Sequence, residues 1–448
     1  MLSRSYIQVI LPLRLAWEPW YSCEEEISAG DRVLVRNAGK EYVAVVSRVC
    51  DTPELDVRKI KPVERIEKDL EKILPSEIAF WRFISEYYLC SIGEVYRYAY
   101  PAGEIEAEGR KSRKKIEIRC CGTRQAALQL ENTDKPLLIQ GTNRDRYYEQ
   151  YISRTLSNGR DVLILRPGKS RESFATRREY AKAVRSEEAV VIDGNKCNIF
   201  LPFTKLGLVI IDDEDSPSFK NNGSAPRFNG RDAAIMLAKI HNADVIIGSL
   251  TPSLETMLNV ENGRYRIKEA DRPELAEVEV IDTDAEFRKN GMVGDRSRKL
   301  IAAEEGISSA GGKYLEVNSW EISKAVNSRL GKYDLVAVLH AEMLSSKSDF
   351  RADEKYLRTM ELLRSRCKGR LIVQTKSSDV CTKSVWALLQ ERKQFGFPPF
   401  TRLVEIRKRN LEEPIKRYFL RKDSQLAERK KEIAASCPRD CFIDVDPL

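Results

Sequence analysis

Short apolar runs alternate with stretches of helical periodicity between residues 135 and 250, and this alternation limits the fold more than any other feature. The runs are short and rich in Val, Ile and Leu, which is typical of buried strands. They lie at 136–140, 161–165, 189–192, 207–212 and 243–248, with helical stretches at 146–156 and 231–241. Strands separated by helices predict a parallel sheet covered by helices on both faces. A weaker repeat follows, with strands at 278–281, 335–339 and 371–374.

The sequence on either side of this region predicts smaller parts. Residues 1–105 contain short β-branched runs at 6–11, 32–35 and 42–46, followed by a helix that Ser76 caps and that reaches Tyr88. We expect a small β-rich domain here. The charged, aperiodic residues 106–134 predict a linker, and residues 376–448 predict a small mixed α/β domain.

The composition is compatible with a protein that binds nucleic acid and argues against a membrane protein. Apolar residues make up 42% of the chain, but no run approaches the roughly 18 residues of a membrane span. The first residues lack the cleavage site of a signal peptide, so we expect a cytoplasmic protein. The net charge is +8, and basic runs at 110–115, 364–370, 402–409 and 416–422 together favour a polyanionic partner.

The ten cysteines do not have the spacing of a metal site. Cys120 and Cys121 are adjacent, Cys437 and Cys441 form an isolated C-x3-C pair, and the chain has only two histidines. A structural zinc site takes four ligands, usually from two close pairs. We therefore expect no metal, and thiols that are reduced and mostly buried.

Two stretches stand where a nucleotide-binding protein of this architecture carries its chemistry. The run 207–212 leads into Asp212 and Asp213, as a Walker B strand presents acids at the carboxyl edge of a sheet. The strand at 136–140 is followed by Gly141, Thr142 and Arg144, where a phosphate loop would begin. The second glycine and the Lys-Ser/Thr pair of such a loop are missing.

A Gly-Lys-Ser triplet at 168–170 is not expected to bind phosphate. The earlier glycine of a phosphate loop would fall on Leu163, inside the strand at 161–165. Pro167, directly before the triplet, lacks a backbone N–H that such a loop uses.

Several stretches taken together resemble one family. Residues 199–220 (IFLPFTKLGLVIIDDEDSPSFK), 225–238 (APRFNGRDAAIMLA) and 247–256 (IGSLTPSLET) resemble the first motor lobe of the primosomal protein N′ family, the replication-restart DNA helicases of superfamily 2. Residues 80–101 resemble the end of its N-terminal domain, which binds the 3′ end of a DNA strand. Residues 348–354, 387–400 and the closing IDVDP resemble its second lobe and C-terminal domain.

The resemblance implies a multidomain α/β protein. It implies a small β-barrel-like DNA-binding domain at 1–105, a RecA-like helicase lobe of the P-loop NTPase type at 135–270, a reduced second lobe at 271–375 and a C-terminal domain at 376–448. It also implies ATP and Mg²⁺ as cofactors, branched or single-stranded DNA as a ligand, and replication and primosome proteins as partners.

The sequence departs from the family at its catalytic motifs. The family's phosphate loop falls on 141–147 without its lysine, and its DEEH box falls on 212–215 with Asp213 in place of the catalytic glutamate. The arginine-bearing motif is shortened at 363–370, and the zinc-binding CxxC insertion has no counterpart. A coupling motif persists as Gly248, Thr251 and Pro252. The resemblance with these departures predicts a helicase-shaped protein without zinc and without ATP hydrolysis.

The family's pocket for a 3′ terminus falls on Trp20, Tyr21, Gly39, Lys40 and Lys61. Trp20 replaces a residue that is polar in the family, so a base could stack there, which is worth about 1–3 kcal/mol. The lysines could contact phosphates. The alternative is that Trp20 and Tyr21 only cover the barrel.

Three functions remain open on the sequence alone. The first is a DNA-binding protein of replication or repair that has lost its ATPase activity. The second is an active DNA-dependent ATPase that uses non-standard nucleotide contacts. The third is a scaffold that kept the fold, contacts other proteins and no longer binds DNA.

Overall fold

The computed structural model describes residues 5–101, 119–120, 135–168, 173–272, 274–290, 292–294, 296–318, 332–345, 349–376 and 383–447. The predicted linker at 106–134 lies outside these residues except for positions 119–120. The basic run at 110–115 and the last two residues of the Gly-Lys-Ser triplet also lie outside them. Within the described residues, no helix is both long and apolar enough to cross a membrane.

Strands and helices are numbered here in chain order. The first part of the chain contains β1 to β6 at Ser5–Ile10, Trp20–Cys23, Arg32–Asn37, Lys40–Cys50, Lys61–Pro62 and Arg65–Ile66, then α1 and α2 at Pro75–Tyr88 and Ile92–Ala99. The middle contains β7 to β13 at Arg119–Cys120, Leu137–Gln140, Asp161–Leu165, Val190–Gly194, Leu206–Asp212, Asp244–Ser249 and Arg266–Glu269, with α3 to α6 at Asp145–Ser157, Phe174–Arg185, Gly230–Ile240 and Leu254–Glu261.

The remaining elements follow the same numbering. Strands β14 to β19 are Glu277–Asp282, Met292–Val293, Arg296–Ser297, Tyr314–Asn318, Tyr333–Leu339 and Cys367–Thr375, and helices α7 to α10 are Thr283–Asn290, Arg298–Ser309, Glu342–Ser345 and Ala352–Arg366. The last elements are α11 at Val385–Phe395, β20 at Thr401–Lys408, β21 at Lys416–Arg421, α12 at Leu426–Ala435 and β22 at Cys441–Val445.

The N-terminal part is a six-stranded sheet in the order β5-β2-β1-β4-β3-β6. Its predicted strands are confirmed, and β3 and β4 form an antiparallel hairpin in which Asn37 pairs with Lys40. Alternate residues of β1, such as Ile7 and Val9, enter a core that also contains Tyr21 and Val33. Gln8 lies between these two residues and pairs with Trp20 on β2, so the side chains of Gln8 and Trp20 lie on the opposite face of the sheet.

The chain divides into two compact units. Unit 1 comprises residues 1–136, 145–247 and 402–448, and unit 2 comprises 137–144 and 248–401. In unit 1, strands run in the order β12-β11-β9-β10-β7. Strands β9, β10 and β11 are parallel, as the alternating pattern predicts, and β7 pairs antiparallel with β10.

The end of the chain belongs to unit 1 and is held there by a buried lysine. Lys220 donates from Nζ to the Val445 carbonyl at 2.7 Å and pairs with Asp444 at 2.7 Å. Its side chain is fully buried, so the charge requires these partners. The contact attaches β22 to the segment that follows β11.

Unit 2 contains a four-stranded parallel sheet in the order β14-β19-β18-β17. A buried ion pair joins two helices of this unit: Arg392 of α11 contacts Glu354 of α10 at 3.1 Å. Glu354 also accepts from the Leu254 N–H at 3.4 Å, and Arg392 donates to the Pro398 carbonyl at 2.8 Å. Three of the stretches that resemble the helicase family therefore meet at one buried contact.

Replacing Glu354 with alanine is expected to destabilise unit 2 strongly. Arg392 would remain 4% exposed without its counterion, which commonly costs about 3–5 kcal/mol of unfolding free energy. Urea denaturation of the two proteins measures the difference. Glu391→Ala is the matched control, because Glu391 makes an exposed contact with Lys383 at 3.3 Å and its loss should cost under about 1 kcal/mol. Equal losses in both variants would contradict the assigned role of the pair.

Candidate nucleotide and nucleic-acid sites

Arg166 lies at the carboxyl end of β9, where three carboxylates surround its guanidinium. Its NH1 contacts Asp212 at 2.6 Å, its Nε contacts Asp193 at 3.3 Å, and its NH2 contacts Asp145. Burial alone would lower the pKa of Arg166, but the three carboxylates raise it above its usual value. Arg166 is therefore a permanent cation at the edge where parallel strands commonly bind ligands.

The other oxygen of Asp212 is also occupied. Tyr148 of α3 donates its hydroxyl to Asp212 Oδ1 at 2.7 Å, and both residues are buried. In a phosphate loop, the Ser/Thr that binds Mg²⁺ together with the Walker B acid lies seven residues after the first glycine. If Gly141 is that glycine, Tyr148 occupies the Ser/Thr position. Asp212, the predicted remnant of the Walker B motif, is thus in contact with a guanidinium at one carboxylate oxygen and with a phenol hydroxyl at the other.

The other acids of this segment differ in their surroundings. Asp213, placed where the family has its catalytic glutamate, has a φ of +48°, a left-handed conformation that Asp tolerates better than most residues. Glu214 is buried and pairs with Arg231 at 2.9 Å. Glu214 therefore holds α5 against the end of β11.

In unit 2, the polar groups of the loop predicted as a phosphate-loop remnant form hydrogen bonds with neighbouring carbonyl groups of the protein. The Gly141 N–H donates to the Ser249 carbonyl at 3.0 Å, and the Thr142 N–H and hydroxyl donate to the Asp271 carbonyl at 2.8 and 3.1 Å. Arg144 donates to the Gly141 carbonyl at 2.6 Å. Phosphate loops bind anions through backbone N–H groups, and two of those groups are used internally here.

Gly141 has a structural reason to be glycine. Its φ of +137° is unfavourable for other residues, and a Cβ atom would approach the Asp271 carbonyl oxygen to 2.5 Å. Its presence at the head of the loop is explained by packing.

The coupling-motif remnant, also in unit 2, forms a helix cap. Ser249, between Gly248 and Thr251, is fully buried and accepts from the Thr251 N–H at 3.0 Å. Pro252 leads into Ser253, whose hydroxyl accepts from the Thr256 N–H at the start of α6. Thr251 thus makes a local backbone contact with Ser249, and the motif leads directly into the cap of α6.

The structure brings part of the predicted 3′-terminus pocket together. Trp20 and Tyr21 lie on β2, and Lys61 on the neighbouring β5 pairs with Tyr21. Gly39 lies in the β3–β4 turn with a φ of +79°, and Lys40 begins β4 with an exposed side chain. Their roles in binding stay predictions.

Trp20 and Tyr21 face opposite sides of the sheet. Tyr21 is 4% exposed and donates its hydroxyl to the Arg36 carbonyl at 3.2 Å, near the β3–β4 turn. Tyr21 thus contributes to the core, whereas Trp20 is half-buried on the outer face. Only Trp20 of the two is placed to offer a ring to a ligand.

Trp20 lines a cleft of about 650 Å³ on this outer face, which we call the Trp20 cleft. Its other lining residues are Gln8, Trp17, Glu18, Ser47, Arg48, Glu54 and Arg82. Both arginines have acidic partners in the cleft: Arg82 contacts Glu18 at 2.7 Å and Arg48 contacts Glu54 at 3.5 Å. The cleft therefore has aromatic surface but little unpaired positive charge.

Sequence reasoning missed Arg166 and Tyr148, although a signal for each was present. Arg166 directly follows the predicted strand DVLIL, and neighbouring parallel strands end at one edge of the sheet. Tyr148 is found by extending the phosphate-loop spacing. Across the part of the chain that the structure describes, no group of three or more His, Cys, Asp and Glu side chains has the geometry of a metal site.

Comparison with known proteins assigns the N-terminal domain to a known type. Residues 8–101 match the family model PriA_3primeBD, described as 3′DNA-binding domain (3′BD). This range contains every residue of the predicted 3′-terminus pocket.

The chain is also similar in sequence to replication restart protein PriA from several bacteria. The Rickettsia felis protein is 27% identical over 335 residues, 66% of this chain and 51% of the relative. The Rickettsia conorii protein is 25% identical over 67% of this chain and 51% of the relative, and the Haemophilus influenzae protein is 33% identical over 29% and 20%. The predicted resemblance is confirmed, and the chain spans about half the length of these Rickettsia relatives.

With Arg166 in place the carboxylates of Asp145, Asp193 and Asp212 do not have the geometry of a metal site, and removing the guanidinium is expected to let them draw together around a divalent cation. Arg166→Ala leaves Asp145, Asp193 and Asp212 without their shared cation, and Mg²⁺ prefers such oxygen ligands. The variant should unfold at a lower temperature than the wild type, and added Mg²⁺ should raise that temperature because it binds only the folded state. Thermal unfolding with and without MgCl₂ measures this.

Arg166→Lys is the control, since it keeps a cation among the carboxylates and should respond to Mg²⁺ as little as the wild type does. An Arg166→Ala protein indifferent to Mg²⁺ would show that the three carboxylates separate when the guanidinium is absent.

Proposed function

We propose that this protein binds single-stranded or branched DNA through its N-terminal domain, in replication restart or repair, and that it does not hydrolyse ATP. The observation that carries the DNA-binding half is the match of residues 8–101 to the 3′DNA-binding domain model. The sequence similarity to replication restart protein PriA supports the biological setting.

The N-terminal domain supplies a means of holding a strand without reading its sequence. The indole of Trp20 offers a surface on which a terminal base stacks, a contact that depends little on base identity. Lys61 is exposed on the edge strand β5, where it pairs with Tyr21 and not with Trp20, and it supplies a charge for a phosphate at the edge of the sheet. Trp20 in place of a polar residue favours stacking over recognition of the terminal hydroxyl.

The absence of ATP hydrolysis is supported by the contacts of the remnant motifs. Hydrolysis needs a carboxylate that holds Mg²⁺ and N–H groups that face the phosphates. Asp212 instead contacts Arg166 and Tyr148, and the N–H groups of Gly141 and Thr142 donate to carbonyl groups. Loss of the phosphate-loop lysine alone removes transition-state stabilisation worth about 10³-fold in rate.

Trp20→Ala is expected to weaken binding of single-stranded DNA by roughly 5- to 150-fold, the equivalent of one stacked base. Lys61→Ala should reduce the slope of log affinity against log salt by about 0.7, as the loss of one phosphate contact does for a single strand. Fluorescence anisotropy with a labelled strand across a salt series measures both. Lys182→Ala, an exposed lysine on α4, is the control and should leave the slope unchanged. No binding of wild-type protein at low salt would favour the scaffold hypothesis instead.

Purified protein is expected to show no DNA-stimulated ATP hydrolysis, and Asp212→Ala should not change the background rate. A phosphate-release assay with and without forked DNA measures both. Hydrolysis that forked DNA stimulates and that Asp212→Ala abolishes would establish the active-ATPase hypothesis, whereas hydrolysis that survives Asp212→Ala indicates a contaminating enzyme.

A further inference from the structure

A second cavity of about 620 Å³ lies in unit 1, next to the Trp20 cleft. The loop between β1 and β2, helix α1, the segment before α5 and the end of α12 line it. We call it the arginine cavity and define it by Arg14, Trp17, Arg227, Arg439 and Phe442. Nothing in the proposed function uses these residues.

Four arginines line this cavity, and three of them, Arg14, Arg227 and Arg439, form no ion pair within the described residues; the fourth, Arg82, pairs with Glu18, and both also line the Trp20 cleft. Arg14 and Arg439 are exposed, and Arg227 is half-buried. The Arg227 guanidinium instead lies 3.7 Å from the centroid of the Phe442 ring. Three guanidinium groups therefore retain capacity to bind an anion.

The carboxylates nearest Arg227 are already engaged elsewhere. Asp444 pairs with Lys220 at 2.7 Å, and Glu94 accepts from the Ser91 N–H at 3.0 Å as the cap of α2. Burial lowers the pKa of Arg227, the carboxylates of Asp444 and Glu94 raise it, and the positive charges of Arg409 and Arg14 lower it, so Arg14 and Arg227 repel each other across the cavity. An anion bound between them would relieve that repulsion.

Trp17 connects this cavity with the Trp20 cleft, because it lines both. Its side chain is 68% exposed, so a ring face is available to a ligand. The loop that carries Arg14 and Trp17 is fixed against α2: a Cβ atom on Gly93 would lie 2.1 Å from the Leu11 carbonyl oxygen and 2.2 Å from that of Leu13. The start of the loop that carries the connecting surface is thus packed closely against α2.

We propose that the arginine cavity binds the phosphodiester backbone of a single strand that continues from the Trp20 cleft past Trp17, an inference that rests on the proposed function. The two clefts supply complementary contacts. The Trp20 cleft stacks a base where its arginines are neutralised, and the arginine cavity neutralises phosphates of the following nucleotides. Trp17 stacks a base between them.

A single strand fits these features better than an acidic peptide does. Two tryptophans at the two clefts provide flat surfaces for bases, and guanidinium groups bind phosphate oxygens bidentately. The carboxylates Glu18 and Glu54 in the Trp20 cleft would repel a run of acidic side chains more than they would a stacked base.

The test compares strands of about 4 and about 16 nucleotides, lengths that span the site sizes of single-strand-binding folds. Arg14→Glu combined with Arg439→Glu should weaken binding of the long strand by roughly tenfold for each arginine. It should also reduce the salt slope by about 1.4, as two lost phosphate contacts predict. Binding of the short strand, which the Trp20 cleft holds alone, should change by no more than about twofold. Both arginines are exposed, so circular dichroism should show an unchanged fold.

Lys182→Glu combined with Lys239→Glu is the matched control, since both lysines are exposed, lie on helices of unit 1 and give the same change in net charge. The proposal is overturned if the two double variants bind the long strand with the same affinity and salt slope. Loss of binding to a polyglutamate peptide, with strand binding retained, would overturn it in favour of an acidic peptide.

The outcome for the cavity is separable from the outcome for the Trp20 cleft. If the arginine variant loses affinity while Trp20→Ala and Lys61→Ala do not, the cavity is supported and the predicted terminus pocket is wrong. If the wild type binds neither strand at low salt, both proposals are wrong.

Discussion

The contact between Arg166 and Asp212 determines what the carboxyl edge of the unit 1 sheet can do. Asp212 is 7% exposed, and a carboxylate at such a position requires a cation. In a nucleotide-binding site that cation is Mg²⁺, which arrives with the ligand. Here the chain supplies it permanently at 2.6 Å, with Tyr148 on the second oxygen. Both carboxylate oxygens of Asp212 therefore have protein partners without any ligand, and the fold does not need a bound nucleotide for its stability.

Several cations in the basic runs near the end of the chain are neutralised by nearby carboxylates. The basic runs near the end of the chain look like a polyanion site in sequence, but Arg407 and Arg417 both contact Glu405, at 2.8 and 2.9 Å, and Lys408 contacts Asp440 at 2.7 Å. The arginine cavity differs, because Arg14, Arg227 and Arg439 are scattered through the sequence, line one cavity with Glu18, Glu86 and Glu94, and form no ion pair within the described residues.

Much of the fold follows from local sequence, whereas the site depends on neighbours that a single sequence does not specify. The predicted strand at 161–165 coincides with β9, because DVLIL is a short apolar run with turn residues on both sides. Strand β2 was missed because four residues, WYSC, are too few to show a period. Which of Trp20 and Tyr21 enters the core also follows from register, and two adjacent aromatic residues leave that choice open in sequence.

Persistence of a motif residue must be weighed against its packing. Gly141 heads a stretch that resembles a phosphate loop, yet its φ of +137° and its approach to Asp271 would require glycine in a protein that never bound a nucleotide. Thr142 likewise satisfies the Asp271 carbonyl. Trp20 is different, since its half-buried ring lies on the outer face of the sheet and is not a member of the core cluster that contains Tyr21. Residues whose geometry leaves chemistry unused, such as Trp20 and the three arginines of the cavity, are therefore better guides to function in this chain than the residues that match a motif.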